Sequence, residues 1–231
     1  MSDNTSYTDD QDMNNQDMND QDMNDEDMDD QDMNDLILGY VRLLHAVPDA
    51  PNVDVYVNGV LVMDNFAFGE YTDYFMVPKG RYQLSVYATG TKETPVASNM
   101  LNVTEDTIVT VAAVGTLSDI SLLAISDAHS SMSSDQAQVR FLHLSPDAPA
   151  VDITLPDGTV IFENVSFREI APYLAVEPMN YTLQVRLTGT PTVVLTIPDV
   201  ELEEDEFYTI YAIGLVGDSP ELEALLLVDG D

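Results

Sequence analysis

The sequence predicts an all-β protein built as two tandem β-sandwich domains behind an acidic N-terminal tail. The first observation is a duplicated stretch. His45-Ala46-Val47-Pro48-Asp49-Ala50-Pro51-Asn52-Val53-Asp54 returns as His143-Leu144-Ser145-Pro146-Asp147-Ala148-Pro149-Ala150-Val151-Asp152, so both copies read H-x-x-P-D-A-P-x-V-D. The second is the run of short apolar segments that follows each copy, with turn residues every ten or so positions, as a sandwich requires. The third is the scarcity of helical periodicity.

The two copies stand 98 residues apart, and the offset then becomes 99: Gly59 matches Gly158, Tyr74 matches Tyr173, Tyr82 matches Tyr181 and Gly115 matches Gly214. The extra residue falls in Leu155-Pro156-Asp157-Gly158 against Val57-Asn58-Gly59, at a turn, where insertions cost least. A period of about a hundred residues is too long for a solenoid repeat and has the size of a whole domain. The expected boundaries are a tail over 1–35, domain 1 over 36–127, a linker over 128–137 and domain 2 over 138–231.

Residues 11–35 form five pentads with Met at 13, 18, 23, 28 and 33. A period of five matches neither 3.6 nor 2, so no continuous apolar face forms, and charge repulsion predicts disorder. An EF-hand needs a Gly at its sixth position and a late Glu; the tract has neither. A solvated spacer is expected, with diffuse, weak divalent-cation binding as the other reading.

In domain 1, Leu36–Ala46 reads as a strand that Pro48 and Pro51 interrupt, since proline has no amide to donate. Asn52–Val57 resumes it, with Val53, Val55 and Val57 on one face. Asn58-Gly59 is a two-residue hairpin signal. Tyr71–Val77, Arg81–Ala88, Ala97–Val103, Thr107–Val114 and Ile120–Ser126 complete roughly seven strands, Tyr82, Leu84 and Val86 pointing to one side. Tyr56 and Tyr87 alternate with these core positions and are expected outside, packed across strands or marking a binding face. Ser126–Gln136 reads as a small, polar linker. Domain 2 repeats the order. There Asn180 is the residue expected to take a left-handed conformation, Phe207–Ile213 is a strand, and Pro220–Leu225 is the one stretch expected to form a helical turn.

Composition excludes several functions. There is no cysteine, hence no disulfide and no thiol chemistry. No apolar run reaches the ~20 residues needed to span a bilayer. Met1–Thr5 offers neither a basic nor an apolar export region, so no export signal is expected at this start. Formal net charge is −35. Residues 36–231 hold 28 acidic and 7 basic residues, an excess of 21 negative charges. Nucleic acid and anionic membranes are therefore not expected as partners. Such a surface suits a saline or cation-rich setting, or solubility alone.

No nucleophile elbow, zinc-protease helix, phosphate loop or dinucleotide fingerprint occurs. The residues with chemistry sit in the duplicated motif: Arg42, His45, Pro48, Asp49, Pro51 and Asp54 in one copy, Arg140, His143, Pro146, Asp147, Pro149 and Asp152 in the other. Read functionally, each copy brings His, Asp and Arg together as a general base or a divalent-metal site. Read structurally, His and Asp flank a proline corner and share one interaction there, satisfying backbone groups that the prolines leave unpaired. The structural reading is the stronger, since no nucleophile accompanies the motif and both domains carry it unchanged. No cofactor is expected.

Val41-Arg42 through Val55, followed by Thr110-Val111-Ala112-Ala113-Val114-Gly115, and Val139-Arg140 through Ile153, followed by Tyr208-Thr209-Ile210-Tyr211-Ala212-Ile213-Gly214, carry a resemblance to the domain of unknown function family 4397. It covers about residues 38–231. The resemblance implies an immunoglobulin-like β-sandwich, usually in secreted or envelope-associated prokaryotic proteins, many of them with a signal peptide, and no established activity. The expected function is thus a non-enzymatic structural or interaction module of an envelope, matrix or spore surface, meeting a protein or polysaccharide partner. The alternatives are a metal- or carbohydrate-dependent enzyme using the His/Asp motif, and a calcium-responsive acidic protein.

Overall fold

The computed structural model describes residues 38–129 and 135–230. The tail expected over 1–35, the strand start at Leu36 and the centre of the expected linker lie outside the described residues. The first sandwich contains β1 (Leu38–Ala46), β2 (Val53–Val57), β3 (Val60–Phe66), β4 (Phe75–Pro78), β5 (Gly80–Ala88), β6 (Ala97–Val103), β7 (Ile108–Val114) and β8 (Ser121–Ser126). The second repeats them as β9 (Ala137–His143), β10 (Val151–Thr154), β11 (Val160–Val165), β12 (Leu174–Val176), β13 (Asn180–Leu187), β14 (Val193–Glu201), β15 (Phe207–Ile213) and β16 (Glu223–Asp229). Each is an immunoglobulin-like β-sandwich of two four-stranded sheets. The orders are β4-β1-β7-β8 with β3-β2-β5-β6, and β12-β9-β15-β16 with β11-β10-β13-β14. β1 runs parallel to β7 and β9 parallel to β15, and the other pairings are antiparallel.

Alternation along β1 explains how the two sandwiches join. Val41 and Leu43 face the core of their own sandwich, with Val53, Val55, Leu84, Val86, Val109 and Val111. Leu44 and Ala46 face the other way, into a second cluster. That cluster unites Ala112, Val114 and Ile125 of the first sandwich with Leu142, Leu144, Tyr211, Ile213 and Leu227 of the second. All seven residues of β7 are buried. A strand covered on both faces reads as a continuous apolar run rather than an alternating one, and Ile108–Val114 is such a run apart from Thr110. A third cluster around Phe141, Ile153, Val185 and Ile210 fills the second sandwich. The four sheets thus stack with three apolar layers between them.

Most strand positions agree with the sequence reading; Ala97–Val103 and Phe207–Ile213 coincide with it. Asn58 and Gly59 both have positive φ, +49° and +82°, as the hairpin signal demands. Other expectations need correction. Each sandwich has eight strands, because the arm after the hairpin, Val60–Phe66, is a full strand. β4 starts at Phe75 instead of Tyr71. Thr72 is the cause: its Oγ1 accepts the Leu43 amide at 3.0 Å where a strand carbonyl would stand. Asn180 opens β13 and is not among the left-handed residues. Pro220–Leu225 forms no helix. Leu215 and Glu221 bridge, and β16 starts at Glu223, its leucines 225 and 227 facing the joint cluster while Leu226 faces the third core. That is period two, not 3.6. Among the described residues the one helical stretch is a 3-10 turn, Leu117–Asp119, and no helix is long and apolar enough to cross a membrane.

Candidate functional site

The two proline corners follow the same plan. His45 is the last residue but one of β1 and is 1 % exposed. Its Nδ1 accepts the Val47 amide at 3.2 Å, and Nε2 lies 3.5 Å from the Pro51 carbonyl, which bridges the corner from entry to exit. His143 Nε2 makes the same contact with the Pro149 carbonyl at 3.1 Å, while its buried Nδ1 has no partner. Burial holds both imidazoles below the ordinary histidine pKa. The carbonyl contacts, with Glu70 near His45 and Asp147 near His143, offset only part of this. Both rings are neutral near pH 7.

The aspartates of the motif each have their own task. Asp49 accepts the Leu117 amide at 2.8 Å, and Asp147 accepts the Val216 amide at 3.0 Å, so each ties its corner to the turn after β7 or β15. Asp54 accepts three bonds, from the Asn65 amide (2.9 Å), Thr89 Oγ1 (3.0 Å) and the Gly90 amide (3.0 Å). Asp152 accepts their counterparts from Asn164, Thr188 and Gly189. The Asn65 amide is the main cause of a lowered Asp54 pKa, against desolvation. At Asp152 desolvation raises the pKa, and the three donors together outweigh it. His and Asp therefore share no hydrogen bond. The expectation that they satisfy one interaction together is corrected: the imidazoles turn to backbone groups of their own corner, while each carboxylate gathers two amides and a hydroxyl from the neighbouring turns.

Arg42 and Arg140 do not join the histidines either. β1 and β9 turn their even positions toward the joint cluster, so both arginines point across it. Arg42 Nη2 meets Asp229 at 2.5 Å, and Arg140 Nη2 meets Asp127 at 2.5 Å. Each carboxylate belongs to the opposite sandwich. Arg42 Nε donates to Thr110 Oγ1 (2.9 Å), which donates to Asp127 (2.6 Å). Arg140 Nε donates to Thr209 Oγ1 (2.8 Å), which donates to Asp229. Six side chains thus close a hydrogen-bonded ring that crosses between the sandwiches twice. Arg42 also donates to the Val228 carbonyl and Arg140 to that of Ser126. Tyr74 donates to Asp127, and its ring lies under the Arg42 guanidinium at 4.5 Å; Tyr173 does the same for Asp229 and Arg140 at 4.4 Å. Both arginines are 4 % exposed.

Burial, then the neighbouring Asp229 charge, raises the Asp127 pKa, which Thr110, Tyr74 and Arg140 counter. Burial pulls Arg42 down, but Tyr211, Tyr74 and the two carboxylates leave it raised and charged. Buried charges persist when paired and bonded in this way.

Asp127 lies in the stretch that sequence composition marks as linker, and Asp229 lies near the chain end, where no motif marks it. Their separation of 102 residues falls outside the 98–99 register of the repeat. Thr110, Thr209, Tyr74 and Tyr173 do fall within it, and that is the signal that finds them. Tyr56 and Tyr87, expected outside, are partly buried and pack edge-to-face at 5.3 Å, with Lys92 over Tyr56. Among the described residues no three His, Asp or Glu side chains are grouped to hold a metal ion.

A family model described as "Domain of unknown function (DUF4397)" matches residues 39–154 and 155–231. No curated protein matches the chain. Solved structures that align with it include the C-terminal domain of AlgF from P. aeruginosa, at 20 % identity over 41 % of this chain and 99 % of that one, TM-score 0.33. A family-26 carbohydrate-binding module from Eubacterium rectale, in complex with maltoheptaose, aligns at 10 % identity over 81 % and 96 %, TM-score 0.28. A fimbrial assembly protein from Parabacteroides distasonis aligns at 12 % over 84 % and 97 %, TM-score 0.27. Similarity at this level says nothing of ligand or partner.

Proposed function

The chain belongs to the family of the domain of unknown function 4397, and on that premise we propose that it is a non-enzymatic tandem β-sandwich module of a cell envelope, extracellular matrix or spore surface. One observation carries the reading. The Arg and Asp side chains of the duplicated motif, the residues in the chain best suited to chemistry, are bonded within the fold: Asp49, Asp54, Asp147 and Asp152 hold loops, and Arg42 and Arg140 hold the sandwiches together. What this supports is a stiff two-domain spacer whose outer sheets remain free to meet a protein or polysaccharide. The acidic excess keeps such a module soluble and away from anionic surfaces.

The test has two arms. Antibody labelling of intact source cells is expected to find the protein outside; signal only after lysis would remove the surface assignment. A hydrolase screen of the full chain beside His45→Ala and His143→Ala is expected to show no turnover. Turnover that disappears in either variant while the fold persists would make the corner an active site.

A further inference from the structure

We propose that the first sandwich holds a binding site for a single-chain apolar ligand with an uncharged or cationic head. Between its sheets lies a cavity of about 370 Å³ walled by Val41, Leu43, Val62, Phe75, Tyr82 and Leu101, among others. Protein cores rarely leave voids much larger than a water molecule. An apolar cavity of about 150 Å³ already takes up benzene, and ligand pockets start near 300 Å³.

The geometry gives the site a mouth. β3 and β4 are the edge strands of the two facing sheets. Val62 of β3 and Phe75 of β4 line the cavity, yet they are 42 % and 43 % exposed. The cavity therefore opens between these two edges. Val60, Leu61 and Met76 extend the apolar surface around them.

The walls select the ligand. They are apolar throughout except for the Tyr82 hydroxyl, which already donates to the Pro78 carbonyl at 2.7 Å. No cation lines the cavity to receive a carboxylate. The excess of 21 negative charges over residues 36–231 raises the cost of bringing an anion to the mouth. An alkyl chain fits inside, with a neutral or positive head left in water.

The second sandwich shows how the chain itself fills such a space. Where the first has Leu43, Val57 and Val62, the second has Phe141, Leu155 and Ile161, and Phe141 is fully buried. Leu43→Phe thus copies a side chain that the same fold already accommodates.

The experiment uses the full chain with labelled methyl groups, followed by NMR. The probes are decyl maltoside, decyltrimethylammonium and decanoate, each below its critical micelle concentration. Saturable shifts are expected at Val41, Leu43, Val57, Val62 and Leu101 with the first two probes, and decanoate is expected to bind about tenfold more weakly or worse. Leu43→Phe is expected to weaken binding at least about tenfold with its unfolding midpoint kept or raised. Should Leu43→Phe not fold, Val57→Leu with Val62→Ile replaces it under the same expectation. Absent saturable shifts, unchanged binding in the filled variants, or tighter binding of decanoate each overturn the proposal. So do shifts at the same methyl groups on simple dilution, which would make a second copy of the chain the occupant.

Discussion

Arg42 and Asp229 lie 187 residues apart in the chain and 2.5 Å apart in the fold. Arg140 and Asp127 repeat the contact in the opposite direction at 2.5 Å. Arg42 also stands 3.9 Å from Asp127, and Arg140 3.7 Å from Asp229, so the four charges act as one group.

Removing one member of this group leaves its partner charged, buried and unmatched. Arg42→Met or Asp229→Asn is expected to cost about 3–5 kcal/mol, and Arg140→Met or Asp127→Asn a similar amount. Replacing Arg42 and Asp229 together by apolar residues is expected to cost less than the two singles added, because neither charge is then stranded. Urea unfolding followed by circular dichroism measures this; four near-neutral single variants would show that the ring contributes nothing to stability.

Acid should weaken the fold through the two corner histidines. Their folded pKa values lie below the ordinary 6.5, so the unfolded chain takes up protons first as pH falls. Their stabilising contribution is present above that value and is lost as pH drops below it, at no more than about 1.4 kcal/mol per histidine per pH unit. Protonating Nδ1 of His45 also removes the acceptor used by the Val47 amide. Asp127, with its raised pKa, has the opposite sign: its contribution favours the fold at low pH and is lost as pH rises. Comparing the pH slope of the native chain with that of His45→Gln/His143→Gln isolates the histidines. An equal slope in both proteins would contradict the assignment.

Asp54→Ala is expected to cost about 1–3 kcal/mol, since it leaves two amides and a hydroxyl without their acceptor. Asp152→Ala is expected to match it. Because His45 bonds elsewhere, His45→Ala and Asp54→Ala should add to within about 0.5 kcal/mol. A strong departure from additivity in the double variant would mean that the two side chains interact after all.

Surface repulsion yields a salt dependence. Raising ionic strength from millimolar to about 0.1 M shortens the screening length to ~10 Å, and the melting temperature is expected to rise with it. The buried ring is shielded from the solvent ions, so Arg42→Met should show the same increment. A flat response would mean that the 21 excess negative charges are spaced too widely to matter.

The fold was legible because its signals are local. Asn58-Gly59 needs nothing beyond itself to form a hairpin, and the alternation of Tyr82, Leu84 and Val86 marks their shared face. The ring was not legible, because its bonds depend on which sandwich each strand faces. Arg42 sits three residues before His45, and sequence proximity proposes them as one site. On a strand that spacing puts them on opposite faces, and the arginine finds its partner in the other sandwich. Asp127 was hidden for a different reason: among Ser126, Ala128 and His129 a single carboxylate reads as linker polarity, and only Arg140 makes it structural. The start of β4 is not legible because Tyr71–Tyr74 has strand composition, while the Thr72 hydroxyl takes over the backbone's bond.

The ring also bears on how a two-domain chain of this kind could arise. Each half offers the same arginine, threonine and tyrosine with an aspartate at its end, and each half uses the aspartate of the other. A single-repeat ancestor pairing with itself would make this contact twice about a dyad, as closed dimers do. Joining two copies in one polypeptide makes the association intramolecular, so the contact no longer depends on protein concentration. It also releases the halves from having to stay identical. Tyr211 is fully buried at the joint, and its counterpart in the first repeat is Ala112. A tyrosine in one half and an alanine at the matching position of the other is an arrangement that two identical chains could not make.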